Sequence, residues 1–99
     1  MKVTKKSTNG TSFHDSTFRA TLTQVKTVCG ETYCNGDTDD KVQYEWEMET
    51  ADGTPFTIYD WKEYRRFGSD EMIEWHIGGF NGADTYKAQQ EIEEALSNI

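Results

Sequence analysis

The segment Asp60–Gly79, "DWKEYRRFGSDEMIEWHIGG", holds two of the three tryptophans, three of the ten Lys/Arg residues and one of the two histidines, and it closes on a Gly-Gly pair. Trp61 and Tyr59 just before it offer rings for stacking. Lys62, Arg65 and Arg66 offer donors for an anion, with guanidinium forks suited to phosphate. Gly78 and Gly79 run toward a C-terminal helix whose first backbone N–H groups are free to meet negative charge. Stacking rings, cations and an amide-lined turn are the parts of a site for a phosphorylated nucleotide. Tyr59, Trp61, Lys62, Arg65, Arg66, His76, Gly78 and Gly79 are therefore the candidate ligand-binding residues, with Tyr64 in the same stretch. The competing readings are plain ones. Trp61 can cover a small second core or a subunit interface, His76 can be an ordinary strand histidine, and Arg65 and Arg66 can neutralise Glu45 or Glu47 across the sheet. The glycine pair lacks the context of a phosphate-loop or dinucleotide fingerprint.

Other chemistry is poorly supported. Cys29, Cys34, His14 and His76 make up the cysteines and histidines of the chain. Their spacing contains neither C-x-x-C nor H-x-x-x-H, so no zinc site is expected. The same residues form no nucleophile–base pair by spacing, and Glu74 beside His76 on one strand face matches no catalytic motif, so no catalytic residue is assigned and no enzyme activity or cofactor is expected. Asn35, Asp37 and Asp39 imitate the start of a calcium loop. Asp40 then stands where the loop glycine belongs and Trp46 where the bidentate Glu belongs, which excludes that reading.

These side chains must be carried by a small scaffold. A chain of 99 residues buries about two-thirds of its unfolded surface and is expected to form a single domain, residues 1–99, with little room for a deep cleft. Only 34% of residues are hydrophobic but 13% are aromatic, so a few large rings must fill the core. The formal net charge is −8, which disfavours direct nucleic-acid or anionic-membrane binding and favours a basic protein partner or a small ligand in a local pocket of opposite sign. No apolar run reaches the ~20 residues of a membrane span, and "MKVTKKSTNGTS" lacks the apolar stretch of a signal peptide. A cytoplasmic location is expected.

Residues 1–10 read as a flexible lead-in. "TSFHDSTFRA" contains Phe13 and Phe18 without strict alternation, as a bent or bulged strand would. In "TLTQVKTVCG", Thr21 and Gln24 form a capping-box pattern, Leu22, Val25, Val28 and Cys29 recur at helical spacing, and Gly30 ends the helix. Residues 31–40 read as a loop. In "KVQYEWEMET", Val42, Tyr44, Trp46 and Met48 alternate with Gln43, Glu45, Glu47 and Glu49, giving a strand with one dry and one wet face. The following "ADGTPFTIYDW" folds back as a hairpin. A turn at Ala51 and Asp52 with Gly53 as a left-handed bulge pairs Thr50 with Thr54, Met48 with Phe56 and Trp46 with Ile58. That register gathers the apolar residues on one face and sends Tyr59 and Trp61 to the other, where large exposed rings need a partner. "MIEWHIGG" repeats the alternation, with Ile73, Trp75 and Ile77 inward and Glu74 and His76 outward. A last helix carries Ala88, Ile92, Ala95, Leu96 and Ile99 on one stripe, capped by Asn81 or Asp84. The expected fold is α+β: a two-layer sandwich in the order β-α-β-β-β-α, with an antiparallel sheet of about four strands and two helices on one face.

In "DKVQYEWEMETADGTPFTIYDWKEYR" and "EWHIGG", across residues 40–96, the chain resembles an uncharacterised family of small phage-encoded proteins with the pattern D-K-V-x-x-E-W, D-G-x-x-x-T-I-Y-D-W-K, W-H-I-G-G. It departs from that pattern at "CGETY", where such proteins usually carry a proline. The resemblance implies a phage origin and hence a role against host defence. On that basis the leading expectation is a noncatalytic protein that sequesters a phosphorylated nucleotide signal, cyclic or derived from ADP-ribose, in the host cytoplasm, its shallow site completed by a second subunit in a homo-oligomer. The alternative is an acidic, DNA-mimicking inhibitor of a host nuclease or other basic defence protein, acting through Glu45, Glu47 and Glu49 and the acidic last helix.

Overall fold

A computed structural model describes residues 1–31, 42–61 and 67–99. Among them the chain runs β1 (Lys2–Val3), β2 (Ser12–Thr21), α1 (Leu22–Cys29), β3 (Glu45–Glu49), β4 (Pro55–Asp60), β5 (Met72–Gly79) and α2 (Gly82–Ser97). The strands form one antiparallel sheet in the order β1-β3-β4-β5-β2. This is the expected α+β arrangement, with five strands in place of about four. The additional strand is β1, which pairs Lys2 with Glu49 and Val3 with Met48. The two residues "KV" carry no periodicity to read, and β1 falls inside the ten residues that read as a flexible lead-in.

The hairpin of β3 and β4 adopts the expected register, with Trp46 opposite Ile58, Met48 opposite Phe56 and Glu45 opposite Tyr59. Gly53 holds φ +85°, a value L side chains resist, and its N–H donates to Thr50 O at 2.9 Å while Thr50 N–H donates to Thr54 O at 2.9 Å. The turn therefore counts an odd number of residues, and Trp46, Met48, Phe56 and Ile58 all land on the helix side.

That side is packed by Phe18, Ala20, Trp46, Met48, Phe56, Ile58, Ile73, Trp75 and Ile77 from the sheet, closed by Leu22, Val25 and Cys29 of α1 and by Ala88 and Ile92 of α2. Trp46 and Trp75 meet edge to face with ring centroids 5.5 Å apart. Each indole N–H has a backbone acceptor, Gly30 O at 2.9 Å for Trp46 and Ala20 O at 3.0 Å for Trp75. The largest side chains of the core thus bury no orphan donor. Thr21 caps α1 reciprocally with Gln24 as the sequence predicts. Asn81 caps α2 through Asp84 N–H at 2.9 Å. The predicted apolar stripe of α2 is buried at Ala88 and Ile92, while Ile99 lies beyond the helix and is exposed.

Two local expectations fail, for one reason. The alternation puts Val42 on the dry face and Gln43 on the wet one, but β3 starts only at Glu45, Gln43 is buried, and Val42 lines the open face. The cause is Asp60, itself fully buried, whose Oδ1 accepts from Gln43 N–H at 2.8 Å and Tyr44 N–H at 2.7 Å. A side-chain carboxylate replaces the ladder there, so the two-residue alternation stops before Tyr44.

Candidate functional site

The face of the sheet away from both helices carries the candidate rings. Tyr59 of β4, Trp61 just past its end and His76 of β5 gather there, joined by Phe13 of β2. Their placement follows from register: Tyr59 sits opposite His76 across β4 and β5, and Thr17 opposite His76 across β5 and β2. Phe13 reaches the cluster because β2 is irregular between Phe13 and Thr17, with Asp15 at φ 66°. The left-handed residue bends the strand end over His76, which Asp tolerates better than most side chains. Phe13 and His76 stack with centroids 4.3 Å apart and 22° between planes. Trp61 lies near-parallel to His76 at 6.2 Å and 24°. Tyr59 stands edge-on to both, 5.6 Å from His76 and 6.2 Å from Trp61. Trp61 and Phe13 keep 40% and 39% of their surface exposed. Among the described residues no helix covers the cluster, so these rings present faces and edges to whatever binds.

Two adjoining depressions lie on this face. One, of about 340 Å³, is ringed by Ser12, Phe13, Tyr59, Trp61 and His76. The other, of about 400 Å³, shares Ser12, Tyr59 and Trp61 and adds the polar groups Thr11, Thr57, Glu45 and Glu47. Both volumes fall in the range of small-molecule sites. Partial burial shapes the chemistry here. Desolvation first, and the Glu47 carboxylate second, push the Glu45 carboxyl up from its ordinary value. Desolvation, then Glu45, raises the Tyr59 phenol, which stays neutral and able to donate. Desolvation lowers His76 against the opposing pull of Glu74, favouring the neutral imidazole.

The glycine pair has a role other than the expected one. Gly78 and Gly79 are strand residues, paired with Phe13 and Ser12, so their backbone groups belong to the β2–β5 ladder and not to an amide-lined turn. Gly78 makes room: a Cβ there would stand well inside contact distance of Thr57 Oγ1 and 3.4 Å from the Tyr59 ring. Gly79 lets the first turn of α2 approach, since a Cβ would fall 2.7 Å from Thr85 Cγ2. The entry of α2 already carries Asp84 in its first turn, which offsets the attraction of that helix end for an anion.

Lys62, Tyr64, Arg65 and Arg66 lie outside the described residues, as do Cys34 and residues 35–40. Cys29 is buried in the core, which pushes its thiol up to about 12. His14 sits apart from it, with Nε2 3.2 Å from Gly79 O. Among the described residues no three His, Cys, Asp or Glu side chains cluster to hold a metal, and no helix is long and apolar enough to cross a membrane.

Phe13 was missed as a site residue, though its signal was present. Five positions separate it from Phe18, and an odd interval puts two strand residues on opposite faces. No protein-family model, curated protein or solved structure matches this chain.

Proposed function

We propose that this protein is a noncatalytic binding protein whose ligand is a phosphorylated nucleotide, stacked on the open face against Tyr59, Trp61 and His76. The observation that carries this reading is the cluster of four rings, drawn from three parts of the sheet onto the face turned away from α1 and α2. Base–aromatic stacking supplies about 1–3 kcal/mol per base. The phosphate end is assigned to Lys62, Arg65 and Arg66, which lie one, four and five positions after Trp61 in the chain. A protein that removes a signal needs affinity without turnover, and a face of half-exposed rings suits that role. Together with the resemblance to small phage-encoded proteins, the biological reading is sequestration of a host defence signal in the host cytoplasm.

Calorimetric titration of the full chain with a panel of cyclic and linear nucleotides and ADP-ribose derivatives tests it. At least one member should give saturable heat, and Trp61→Ala should weaken that binding about 5- to 150-fold with unchanged circular dichroism, the span set by the stacking contribution above. No heat and no thermal shift across the panel would refute the reading.

A second reading is favoured by β3, which lines Glu45, Glu47 and Glu49 along the same open face. Such a row can occupy the phosphate-binding groove of a basic nuclease of the host. It predicts a complex that dissolves as sodium chloride rises through the range where screening becomes short, that is lost in Glu47→Lys/Glu49→Lys, and that survives Trp61→Ala. Salt-titrated gel filtration with the nuclease measures all three, and a salt-insensitive complex would exclude this mode.

A further inference from the structure

We propose that Asn9, on the wall of the polar depression, is the residue this fold leaves open to spontaneous deamidation, and that the carboxylate formed there makes the wall more acidic. The sequence contains four Asn-Gly or Asp-Gly pairs, beginning at Asn9, Asn35, Asp52 and Asn81. A glycine after such a residue leaves its own backbone nitrogen unshielded by any Cβ. The reaction is the same at each asparagine. The glycine nitrogen attacks the side-chain Cγ, its proton leaves with the carboxamide nitrogen as ammonia, and a cyclic succinimide closes. Water then opens either carbonyl, giving aspartate or isoaspartate. Water is the only co-reactant. Asn35 lies outside the described residues, and the other three pairs differ in how firmly the fold holds the reacting groups.

Asn81 is engaged. Its Oδ1 accepts from Asp84 N–H at 2.9 Å and its carbonyl oxygen from Thr85 N–H at 3.2 Å, so the side chain must give up the cap of α2 before its Cγ can meet the Gly82 nitrogen. Asp52 is held more firmly still. Lys87 Nζ donates to its Oδ2 at 2.7 Å, and the Thr54 hydroxyl to its Oδ1 at 2.8 Å, with the Thr50 hydroxyl on the same oxygen. Lys87 foremost, then Thr50 and Thr54, keeps that carboxyl well below its ordinary range. An ionised carboxylate is a poor electrophile, and the Gly53 nitrogen that would attack it donates to Thr50 O at 2.9 Å. Asn9 has none of these restraints. It is exposed, in a turn that Thr11 N–H closes onto Thr8 O at 3.1 Å, with Gly10 at φ +90°. Its backbone N–H donates to Ser7 Oγ at 3.2 Å, but among the described residues neither its carboxamide nor the Gly10 N–H makes a hydrogen bond. Asn9 also lines the depression that contains Glu47, Thr57 and Tyr59, so deamidation sets a new negative charge in that wall. The consequence for binding rests on the nucleotide reading: the added charge opposes a phosphorylated ligand.

Peptide mapping by mass spectrometry decides the matter, because trypsin leaves each pair on its own fragment, residues 7–19, 27–41, 42–62 and 67–87. The full chain is incubated in mildly alkaline buffer, folded and, in parallel, unfolded in urea. In the folded protein, fragment 7–19 should exchange ammonia for water about 2- to 30-fold faster than fragment 67–87, the factor set by surrendering an N-cap. In urea the two rates should converge, and Asn9→Gln should abolish the change in fragment 7–19. Fragment 67–87 converting as fast as fragment 7–19 in the folded protein, or a rate difference that persists in urea, would overturn the assignment. Calorimetry with the nucleotide panel reads the consequence. Asn9→Asp should bind about 2- to 5-fold more weakly than Asn9→Gln, the scale of an exposed charge pair, and equal affinities would overturn the effect on the site. Absence of binding by every nucleotide would remove the nucleotide reading and that effect with it, while the fragment rates still decide whether Asn9 is the residue that converts.

Discussion

Gly78 shows how much one missing side chain decides. It sits on the open face between Thr57 and Tyr59, and its hydrogen takes the place where any Cβ would collide with Thr57 Oγ1 and press on the Tyr59 ring. Its φ is not in the left-handed region, so the demand is for space alone. Gly78→Ala should destabilise the protein by about 1–3 kcal/mol, the usual cost of overpacking a closed site. Gly78→Ala/Thr57→Ala, which removes the colliding hydroxyl, should recover most of that loss. Urea midpoints measure both, and an unchanged midpoint in the single variant would show that the strand relaxes freely. Nothing in "WHIGG" announces this role. A glycine pair before a helix reads as a turn, and only the neighbouring strand reveals that the space above Gly78 is occupied by a partner's hydroxyl.

At the scale of elements, the parts with strong local grammar were legible. The Thr21–Gln24 capping box, the alternation of Trp46 and Met48 and the odd-numbered turn at Gly53 each fix a boundary or a register from a few adjacent residues. α1 is a short helix, Leu22–Cys29, and helices of that length are marginal alone, so its reciprocal cap matters. Thr21→Ala should cost about 0.5–2 kcal/mol, read as a lowered urea midpoint with little change in the slope of the transition. A cost near zero would mean that docking of Leu22 and Val25 holds the helix without its cap. What failed to read was long-range. Asp60 captures the backbone of Gln43 and Tyr44 across the hairpin, a contact between residues 16 or more positions apart. β1 exists only because β3 offers it an edge.

For the molecule as a whole, the sheet is two surfaces of opposite character. One is sealed by helices over Trp46 and Trp75, and the other carries acids and half-exposed rings. The split was legible because alternation states which residues share a face. The membership of the ring cluster was less so, because Phe13 arrives through the irregularity in β2, which parity alone hints at. The same irregularity governs the outer rim of the sheet. β2 is ten residues long and, among the described residues, has no strand beyond it, the kind of border along which separate molecules zip into aggregates. Asp15 breaks its repeat with a left-handed kink, and Gln89 of α2 takes the Thr17 carbonyl at 2.7 Å. A foreign strand approaching this rim meets a crooked, partly claimed row of docking points, so the border that bends Phe13 onto the rings also resists runaway polymerisation.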